Sequence, residues 1–198
     1  MTTKPFQIAP DAPPAKQAIL KAALKLFAAR GIDGVTIRDV ASASGFTNPA
    51  LYKHYKSKEA MAEDLFATCY REMTLRLEVP LREHVPFHGA LDAYLTTLLK
   101  LYETAPEPLD FVNDNLGRFW LQMPEELKKR TQVTQVRQLL QRGRKEGAVT
   151  KDQTLEMQVV FVMGLFAQLG RMARAGGLSK PISAYKNEGF IMLEKLLA

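Results

Sequence analysis

The sequence predicts an all-α protein of about nine helices, in which a three-helix domain near the N terminus precedes a larger helical body. Two observations favour this fold class. Apolar residues recur at intervals of three or four positions along most of the 198 residues, and no segment shows the alternating pattern of a strand. Gly and Pro also interrupt the helical pattern at intervals that suit helices of ordinary length.

The composition predicts a globular chain, because 46% of the residues are hydrophobic. The single cysteine, Cys69, excludes an intrachain disulfide and a thiolate metal cluster, and its apolar surroundings predict a buried side chain. No apolar run reaches the roughly 18 residues that a membrane span needs, and the first residues lack the pattern of a secretory signal. We therefore expect a cytoplasmic protein without a membrane partner.

The positive charge is concentrated at one end of the chain. Residues 1–60 hold nine Lys or Arg and four Asp or Glu, whereas residues 61–198 hold eighteen and seventeen. A compact basic end on a nearly neutral body favours a polyanionic partner for that end. The alternative is a solvated basic face that binds nothing.

The N-terminal part begins with an arm and continues with short helices. Residues 1–14 hold four prolines and few core-forming residues, which predicts a flexible arm. The first helix follows and ends near Gly31. Its buried face is predicted to consist of Ile19, Ala22, Ala23, Leu26 and Phe27. Thr36, Thr47 and Ser57 are each placed to cap the start of a further helix.

The body, residues 61–198, is predicted to contain the remaining helices. Pro80 and Pro86 are expected to bracket a break after the fourth helix. Asp152 is a candidate cap for the long apolar helix near the C terminus. The helices of the body are predicted over residues 89–104, 109–123, 125–147, 152–177 and 183–197.

The second and third helices form a predicted helix-turn-helix, because only a very short turn at Gly45 joins them. Leu51 and Tyr55 face the small core, which leaves the opposite face of the third helix outside. Small residues near the start of that face let the backbone approach base edges in a DNA major groove. The outward residues are Thr47, Asn48, Pro49, Ala50 and Lys53.

Side chains that suit phosphate surround this face. Tyr52, His54, Lys56 and Lys58 bring a hydroxyl, an imidazole and two ammonium groups within reach of a DNA backbone. The N termini of the second and fourth helices add backbone N–H donors. Residues 15–60 are therefore predicted to be a DNA-binding domain. The alternative is that this helix pair is plain scaffold.

The stretch "ILKAALKLFAARGIDGVTIRDVASASGFTNPALYKHYKSKEAMAEDLF" resembles the DNA-binding domain of TetR-family transcriptional regulators. The matching segments are "LFAARG" at the end of the first helix, "TIRDVASASG" for the second, and "LYKHYKSKEAM" across the third and fourth. The resemblance implies a dimeric protein, usually a repressor, which releases DNA when a small molecule binds the body.

The resemblance also implies roles for individual residues. It assigns base reading to the outward face of the third helix and phosphate contacts to Thr36, Tyr52, His54 and Lys58. We place Arg38, two positions after Thr36, with the phosphate contacts. The sequence departs from the family where Tyr55 replaces the more common Phe, and where Pro49 replaces Gly or another small residue. Its base preference therefore cannot be transferred from a relative.

The body contains many large apolar side chains, and two interpretations of them are open. They form an ordinary core, or some of them line an apolar cavity for a small molecule. The candidate pocket residues are Phe66, Tyr94, Leu98, Tyr102, Phe111, Asn115, Phe119, Trp120, Met123, Phe161 and Phe166. The polar cluster at residues 113–115 is either a solvated face or a set of contacts that orient the ligand.

The helix predicted near residues 152–175 is apolar enough to need a second surface to cover it, and Gly164 and Gly170 permit close approach of another helix. With the last helix it can pair with a two-fold mate in a four-helix bundle. The alternative is a central helix buried within a monomer. The candidate interface residues are Val160, Phe161, Gly164, Leu165, Gln168, Met172, Phe190 and Leu193.

Catalytic and metal-binding patterns find little support in the sequence. His84 and His88 have a metal-like spacing, but Pro86 between them disfavours a regular helix that presents both. No Gly-rich phosphate loop and no nucleophile elbow is present. We therefore expect no catalytic residue, no metal and no cofactor.

The function that the sequence predicts is a ligand-responsive, homodimeric DNA-binding regulator. We expect a repressor that a small, largely apolar effector releases from a palindromic double-stranded operator. The alternative is a DNA-binding regulator whose body binds a protein partner instead of a small molecule. A helical enzyme is a third class, and it would require titratable groups that converge in a cleft.

Overall fold

The computed structural model describes residues 5–82 and 85–198, and within them the chain is all-α, as predicted. It has nine helices of seven residues or more and one single-turn helix, and no strand occurs in these residues. The helices are α1 (Pro14–Arg30), α2 (Ile37–Ser44), α3 (Asn48–His54), α4 (Lys58–Arg82), α5 (Phe87–Thr104), α6 (Pro106–Phe119), α7 (Glu125–Lys128), α8 (Gln132–Glu146), α9 (Leu155–Arg174) and α10 (Lys186–Leu197). Two 3-10 turns, Trp120–Gln122 and Ile182–Tyr185, precede α7 and α10. None of the helices in this part of the chain has the length and apolar character to cross a membrane.

The chain divides into two compact units. The first unit contains residues up to 73 together with residues 105–128, and the second contains residues 74–104 and 129–198. The boundary predicted between residues 60 and 61 divides the DNA-binding domain from the body by function. The two compact units are defined by contacts instead, so this boundary stays a prediction.

The first unit is built around a core that α1, α2, α3, α6 and the first half of α4 share. Ile19, Val40, Leu51 and Leu65 are completely buried. Aromatic rings extend this core, because Phe66 lies 5.3 Å from Phe119 and 6.5 Å from Phe111 between ring centroids. The buried face of α1 is broader than predicted. It includes Leu20 and Leu24, whereas Leu26 is only half-buried.

The described part of the N-terminal arm, residues 5–13, lies against the start of α1. Ile8 is buried, and the side-chain amide of Gln17 donates hydrogen bonds to the carbonyls of Pro10 (3.0 Å) and Ala12 (2.8 Å). The proline-rich composition predicted a flexible arm. These contacts concern residues 5–13 only, and the flexible arm at residues 1–14 stays a prediction.

Helix α4 continues through Pro80 to Arg82 and α5 begins at Phe87, so the break between Pro80 and Pro86 is confirmed. Proline removes one helical hydrogen bond, and other bonds support the end of this helix. The guanidinium of Arg142 in α8 donates to the carbonyls of Leu81 (2.8 Å) and Val85 (3.3 Å). The Glu146 carboxylate accepts from the backbone N–H of Phe87 (2.7 Å) at the start of α5.

Two helix boundaries differ from the prediction, and a threonine cap explains each of them. The helix predicted over residues 125–147 is divided into α7 and α8, because the Thr131 hydroxyl accepts from the N–H of Thr134 (3.0 Å) and starts a new helix. Helix α9 begins at Leu155, where the Thr154 hydroxyl accepts from the N–H of Met157 (3.3 Å). Asp152 is therefore not its cap.

Gly170 lets α9 approach α5 closely within the second unit. A Cβ atom at this position would lie 2.5 Å from two ring carbons of Tyr102. Gly164 differs, because a Cβ atom there would have no neighbour within 4 Å. The sequence grouped these two glycines as one surface for a partner helix, but Gly170 is buried inside its own chain.

We expect Gly170→Ala to lower the free energy of unfolding by about 1–3 kcal/mol, because the added methyl group overpacks the contact with Tyr102. Gly164→Ala is the matched control on the same helix, and it should raise stability by about 0.5–1 kcal/mol because Ala favours the helix. Urea unfolding followed by circular dichroism measures both. Equal stability of the two variants would show that the Tyr102 ring yields freely.

Candidate nucleic-acid interface

The start of α2 is held by a reciprocal set of hydrogen bonds. The Thr36 hydroxyl accepts from the N–H of Asp39 (3.2 Å), and the Asp39 carboxylate accepts from the N–H of Thr36 (2.8 Å). Arg30 at the end of α1 pairs with the same carboxylate at 2.8 Å. The bonds from Thr36, and then that from Arg30, hold the pKa of Asp39 below its usual value. These bonds join the ends of α1 and α2.

The turn between α2 and α3 is short because Gly45 adopts a left-handed conformation (φ +75°). The N–H of Phe46 bonds to the carbonyl of Ala41 (3.0 Å), and this bond closes the C terminus of α2. Thr47 then begins α3. The predicted helix-turn-helix is therefore present.

Helix α3 is anchored at its C-terminal end by Tyr55. Leu51 and Tyr55 are buried, as predicted, and the Tyr55 hydroxyl donates to the Asp64 carboxylate of α4 at 2.6 Å. Lys16 of α1 pairs with the same carboxylate at 2.8 Å and lies 5.5 Å from the Tyr55 ring centre. Burial, and then the bond to Asp64, raise the pKa of Tyr55. The hydroxyl therefore stays protonated and ties α3 to α4.

The five candidate base-reading residues lie on or beside the first two turns of α3. Thr47, Pro49 and Lys53 are exposed, whereas Asn48 and Ala50 are half-buried. Thr47 occupies the cap position but makes no side-chain capping bond, which corrects the prediction that its hydroxyl caps α3. That hydroxyl is consequently free to meet a ligand.

Five of the six candidate phosphate contacts are exposed: Thr36, Arg38, Tyr52, His54 and Lys56. Thr36 differs, because its hydroxyl donates to the Asp39 carboxylate at 2.9 Å. Its proton is already engaged in the cap. A phosphate at the start of α2 would therefore meet the backbone N–H groups of the first turn in preference to the Thr36 hydroxyl.

Lys58 has an internal bond that sequence reasoning missed. Its ammonium group donates to the carbonyl of Ile32, in the loop after α1, at 2.8 Å. The two residues are 26 positions apart, and no local pattern in the sequence indicates such a bond. The side chain is half-exposed, so the same ammonium group retains protons for a phosphate.

We expect Lys58→Ala to change two measured properties, because its ammonium group serves the loop as well as phosphate. Stability should fall by about 1 kcal/mol, and the slope of log affinity against log salt concentration should lose about one unit. Lys56→Ala is the matched control. Lys56 is exposed and has no hydrogen bond or ion pair within the described residues, so this variant should change the salt slope alone. An unchanged salt slope in Lys58→Ala would show that Lys58 supports the loop after α1 but does not contact phosphate.

The candidate pocket residues are distributed over both units, and most of them are buried. Phe66, Phe111, Phe119 and Met123 are buried in the first unit, and Asn115 and Trp120 are half-buried there. Tyr94, Leu98 and Phe166 are buried in the second unit, and Tyr102 is half-buried. Phe161 is 53% exposed, and its place in a ligand pocket stays a prediction.

The polar cluster of α6 points largely to solvent. Asn113 and Asp114 are exposed, and the Asn115 amide donates to the carbonyl of Phe111 one turn earlier (2.9 Å). This placement favours the solvated-face interpretation over a set of ligand contacts. Within the residues described, no cluster of three or more His, Cys, Asp or Glu side chains is arranged to hold a metal ion, and His84 lies outside those residues.

An almost entirely apolar groove of about 360 Å³ lies between α9 and α10. Five of its lining residues, Val160, Phe161, Gly164, Leu165 and Leu193, are candidate interface residues, and Leu193 is buried. Gln168 and Met172 are exposed farther along α9, and Phe190 is half-buried. Sequence reasoning missed Met192, which is 63% exposed and lines the groove. The run "FIML" in the last helix is the pattern that could have indicated it.

The fold and this geometry define a class of protein: an all-helical helix-turn-helix protein with an exposed, basic third helix. The comparison with known families agrees, since residues 19–65 match the model of bacterial regulatory proteins of the tetR family. The chain is also 25% identical over 164 residues to the HTH-type transcriptional repressor KstR2 of Rhodococcus jostii, covering 80% of this chain and 79% of that one.

Solved structures show the same fold. The ketosteroid transcriptional regulator KstR2 of Mycobacterium tuberculosis matches with a TM-score of 0.80 at 20% identity, covering 97% of this chain and 99% of that one. FadR from Bacillus subtilis, solved in complex with stearoyl-CoA, matches with a TM-score of 0.69 at 15% identity, covering 89% and 96%. Residues 19–65 therefore form a DNA-binding domain of the tetR family of bacterial regulatory proteins, and the chain as a whole shares the fold of these solved regulators.

Proposed function

We propose that this protein is a cytoplasmic, homodimeric repressor that binds a palindromic operator and leaves it when a small, largely apolar effector binds. The observation that carries this proposal is the exposed face of α3, which presents the free Thr47 hydroxyl beside Asn48 and the Lys53 ammonium group. Hydroxyl, amide and ammonium groups are the types that read base edges in a major groove. The Tyr52 hydroxyl, on a side chain that is 55% exposed, and the exposed cationic side chains of Arg38 and Lys56 supply the phosphate contacts.

A homodimer is supported by the apolar groove between α9 and α10. Exposed apolar surface of this kind is typical of protein interfaces, and Val160 is 60% exposed. Two helix-turn-helix units related by a two-fold axis require a dimer interface that holds them about 34–36 Å apart, or a multiple of that distance. This spacing matches the two half-sites on the DNA. The exposed α9 surface disfavours the alternative in which this helix is the buried centre of a monomer.

An apolar effector is supported by the large number of aromatic and aliphatic side chains inside the body, and by the relatives. KstR2 is named as a ketosteroid regulator, and FadR was solved with stearoyl-CoA. A ketosteroid is largely apolar, and stearoyl-CoA joins an apolar acyl chain to a charged CoA group. The second candidate function is a regulator whose body binds a protein partner, and the same exposed groove favours it if the chain proves monomeric.

Selection from random double-stranded oligonucleotides tests the DNA-binding proposal. We expect the recovered sequences to share a palindrome whose two halves are separated by about one helical turn or a multiple. Sedimentation of the free protein shows whether the groove between α9 and α10 is a homodimer interface or, in a monomer, a candidate site for a protein partner. A folded, dimeric protein that enriches no sequence at moderate salt would contradict the proposed operator binding.

A further inference from the structure

The helix-turn-helix segment, residues 31–58, contains two acidic side chains, Asp33 and Asp39, and four Lys or Arg side chains. Each of the two carboxylates pairs with an arginine from outside the segment. Arg30 at the end of α1 lies 2.8 Å from the Asp39 carboxylate. In α6, Nη1 of Arg118 donates to both oxygens of Asp33 at 3.2 Å. The negative charge of the segment is therefore compensated at both places where it occurs.

The pair of Asp33 and Arg118 is not what holds the loop after α1. The backbone carbonyls on either side of Asp33 accept from Lys58 at 2.8 Å and from Arg30 at 3.0 Å, and these two bonds fix the backbone of the loop. Asp39 serves the cap of α2, whereas the Asp33 carboxylate has Arg118 as its one partner among the described residues. An ion pair this exposed contributes little to stability, so its main effect is on local charge.

That local charge matters because Asp33 lies close to a candidate phosphate site. Asp33 is three positions before Thr36, so the Cα atoms of the two residues are at most about 11 Å apart. The backbone N–H groups of the first turn of α2, which follow Thr36, are the groups that a phosphate would meet. The Asp33 side chain is 84% exposed. Without a partner, its carboxylate would repel a phosphate there at about one Debye length or less.

We propose that Arg118, a residue of α6 outside the helix-turn-helix, determines DNA affinity by neutralising the Asp33 carboxylate and not by touching DNA. The inference rests on the proposed DNA binding, and it assigns to α6 a role that the sequence alone did not indicate. The two residues are 85 positions apart.

A double-variant cycle tests this inference with Arg118→Gln, Asp33→Asn and the combination of both. Each protein is titrated with the oligonucleotide recovered by selection and with a random duplex, in about 0.1 M salt. Arg118→Gln should lower affinity about fivefold on both duplexes, because it leaves an unpaired carboxylate in each half-site. Asp33→Asn should bind at least as tightly as the wild type. The double variant should return to within about twofold of the wild type, because neither charge remains.

Two other roles for Arg118 give different results in the same cycle. If the ion pair positions the loop, Asp33→Asn should weaken binding as much as Arg118→Gln does, which would overturn the proposal. If Arg118 contacts phosphate directly, the double variant should stay as weak as Arg118→Gln. Its slope of log affinity against log salt concentration should then lose about one unit relative to the wild type, and this result would also overturn the proposal.

Arg137→Gln is the matched control. Arg137 of α8 forms an ion pair of similar exposure with Glu156 at 2.9 Å, and it belongs to the second unit. This variant should keep wild-type affinity and, like the others, a cooperative thermal unfolding curve. Equal losses of affinity in Arg137→Gln and Arg118→Gln would mean that the net charge of the chain decides, against the proposal. Failure to recover any preferred sequence would contradict the proposed operator binding, while the cycle on the random duplex would still decide the role of Arg118.

Discussion

Replacing Gly164 with Glu is expected to turn a dimer into a folded monomer and to reduce operator affinity toward its non-specific level. In the proposed dimer, the two-fold axis would bring two carboxylates into an apolar groove without partners, and burial of an unpaired charge costs several kcal/mol. The single chain has no reason to unfold, because nothing lies within 4 Å of a Cβ atom at this position. Sedimentation and a DNA titration on the same sample measure both effects.

Gly117→Glu is the matched control for this experiment. Gly117 is an exposed glycine inside α6 with open space around its Cβ position, so the two variants share the chemical change and the helical setting. The control should keep the sedimentation coefficient and operator affinity of the wild type. A Gly164→Glu protein that remains dimeric and binds the operator normally would move the interface away from this groove.

Replacement of Asn48 or Lys53 by Ala is expected to relax discrimination by about 1–3 kcal/mol at particular base pairs, while leaving contacts with phosphate largely intact. Both residues are on α3, and neither has a role in the buried core of the first unit. Selection of bound oligonucleotides with each variant measures the effect position by position. The loss should be confined to a few adjacent base pairs in each half-site.

Two substitutions far from α3 control for the change in composition. Asn113→Ala removes an exposed amide from α6, and Lys145→Ala removes an exposed charge from α8. Both should recover the wild-type sequence preference. If Asn48→Ala and Lys53→Ala also recover that preference unchanged, base reading belongs to other residues of the domain.

The fold class and the helix-turn-helix were predictable because they depend on local patterns. Helical periodicity identified the long helices, and Gly45 and Ser57 end and begin helices where short-range chemistry placed them. The failures have a different origin. The helix predicted over residues 125–147 is divided at Thr131, which starts a new helix that the apolar periodicity does not reveal. Asp152 and Thr154 are both acceptable caps by composition, and only the structure distinguishes them.

The candidate DNA-binding site also has some features that local sequence predicts and others that depend on distant residues. Exposure of Lys53 and burial of Leu51 follow from helical geometry, so the sequence was sufficient for them. The bond from Lys58 to the Ile32 carbonyl and the contact of Gly170 with Tyr102 depend on residues 26 and 68 positions away. Side-chain partners at such separations are decided by packing, which a single sequence does not display.

The anchor of α3 also constrains the order in which this chain can evolve. Loss of the Asp64 carboxylate is expected to cost more stability than loss of the Tyr55 hydroxyl. If Tyr55 mutates first to Phe, the residue more common in the family, Asp64 keeps Lys16 as its partner and the change is mild. If Asp64 mutates first, the Tyr55 hydroxyl is left buried without an acceptor, at a cost of about 1–3 kcal/mol. The two mutational orders that lead to the same double variant therefore pass through single variants of different stability. In lineages without the Asp64 carboxylate, we expect the Tyr55 hydroxyl to have been lost first.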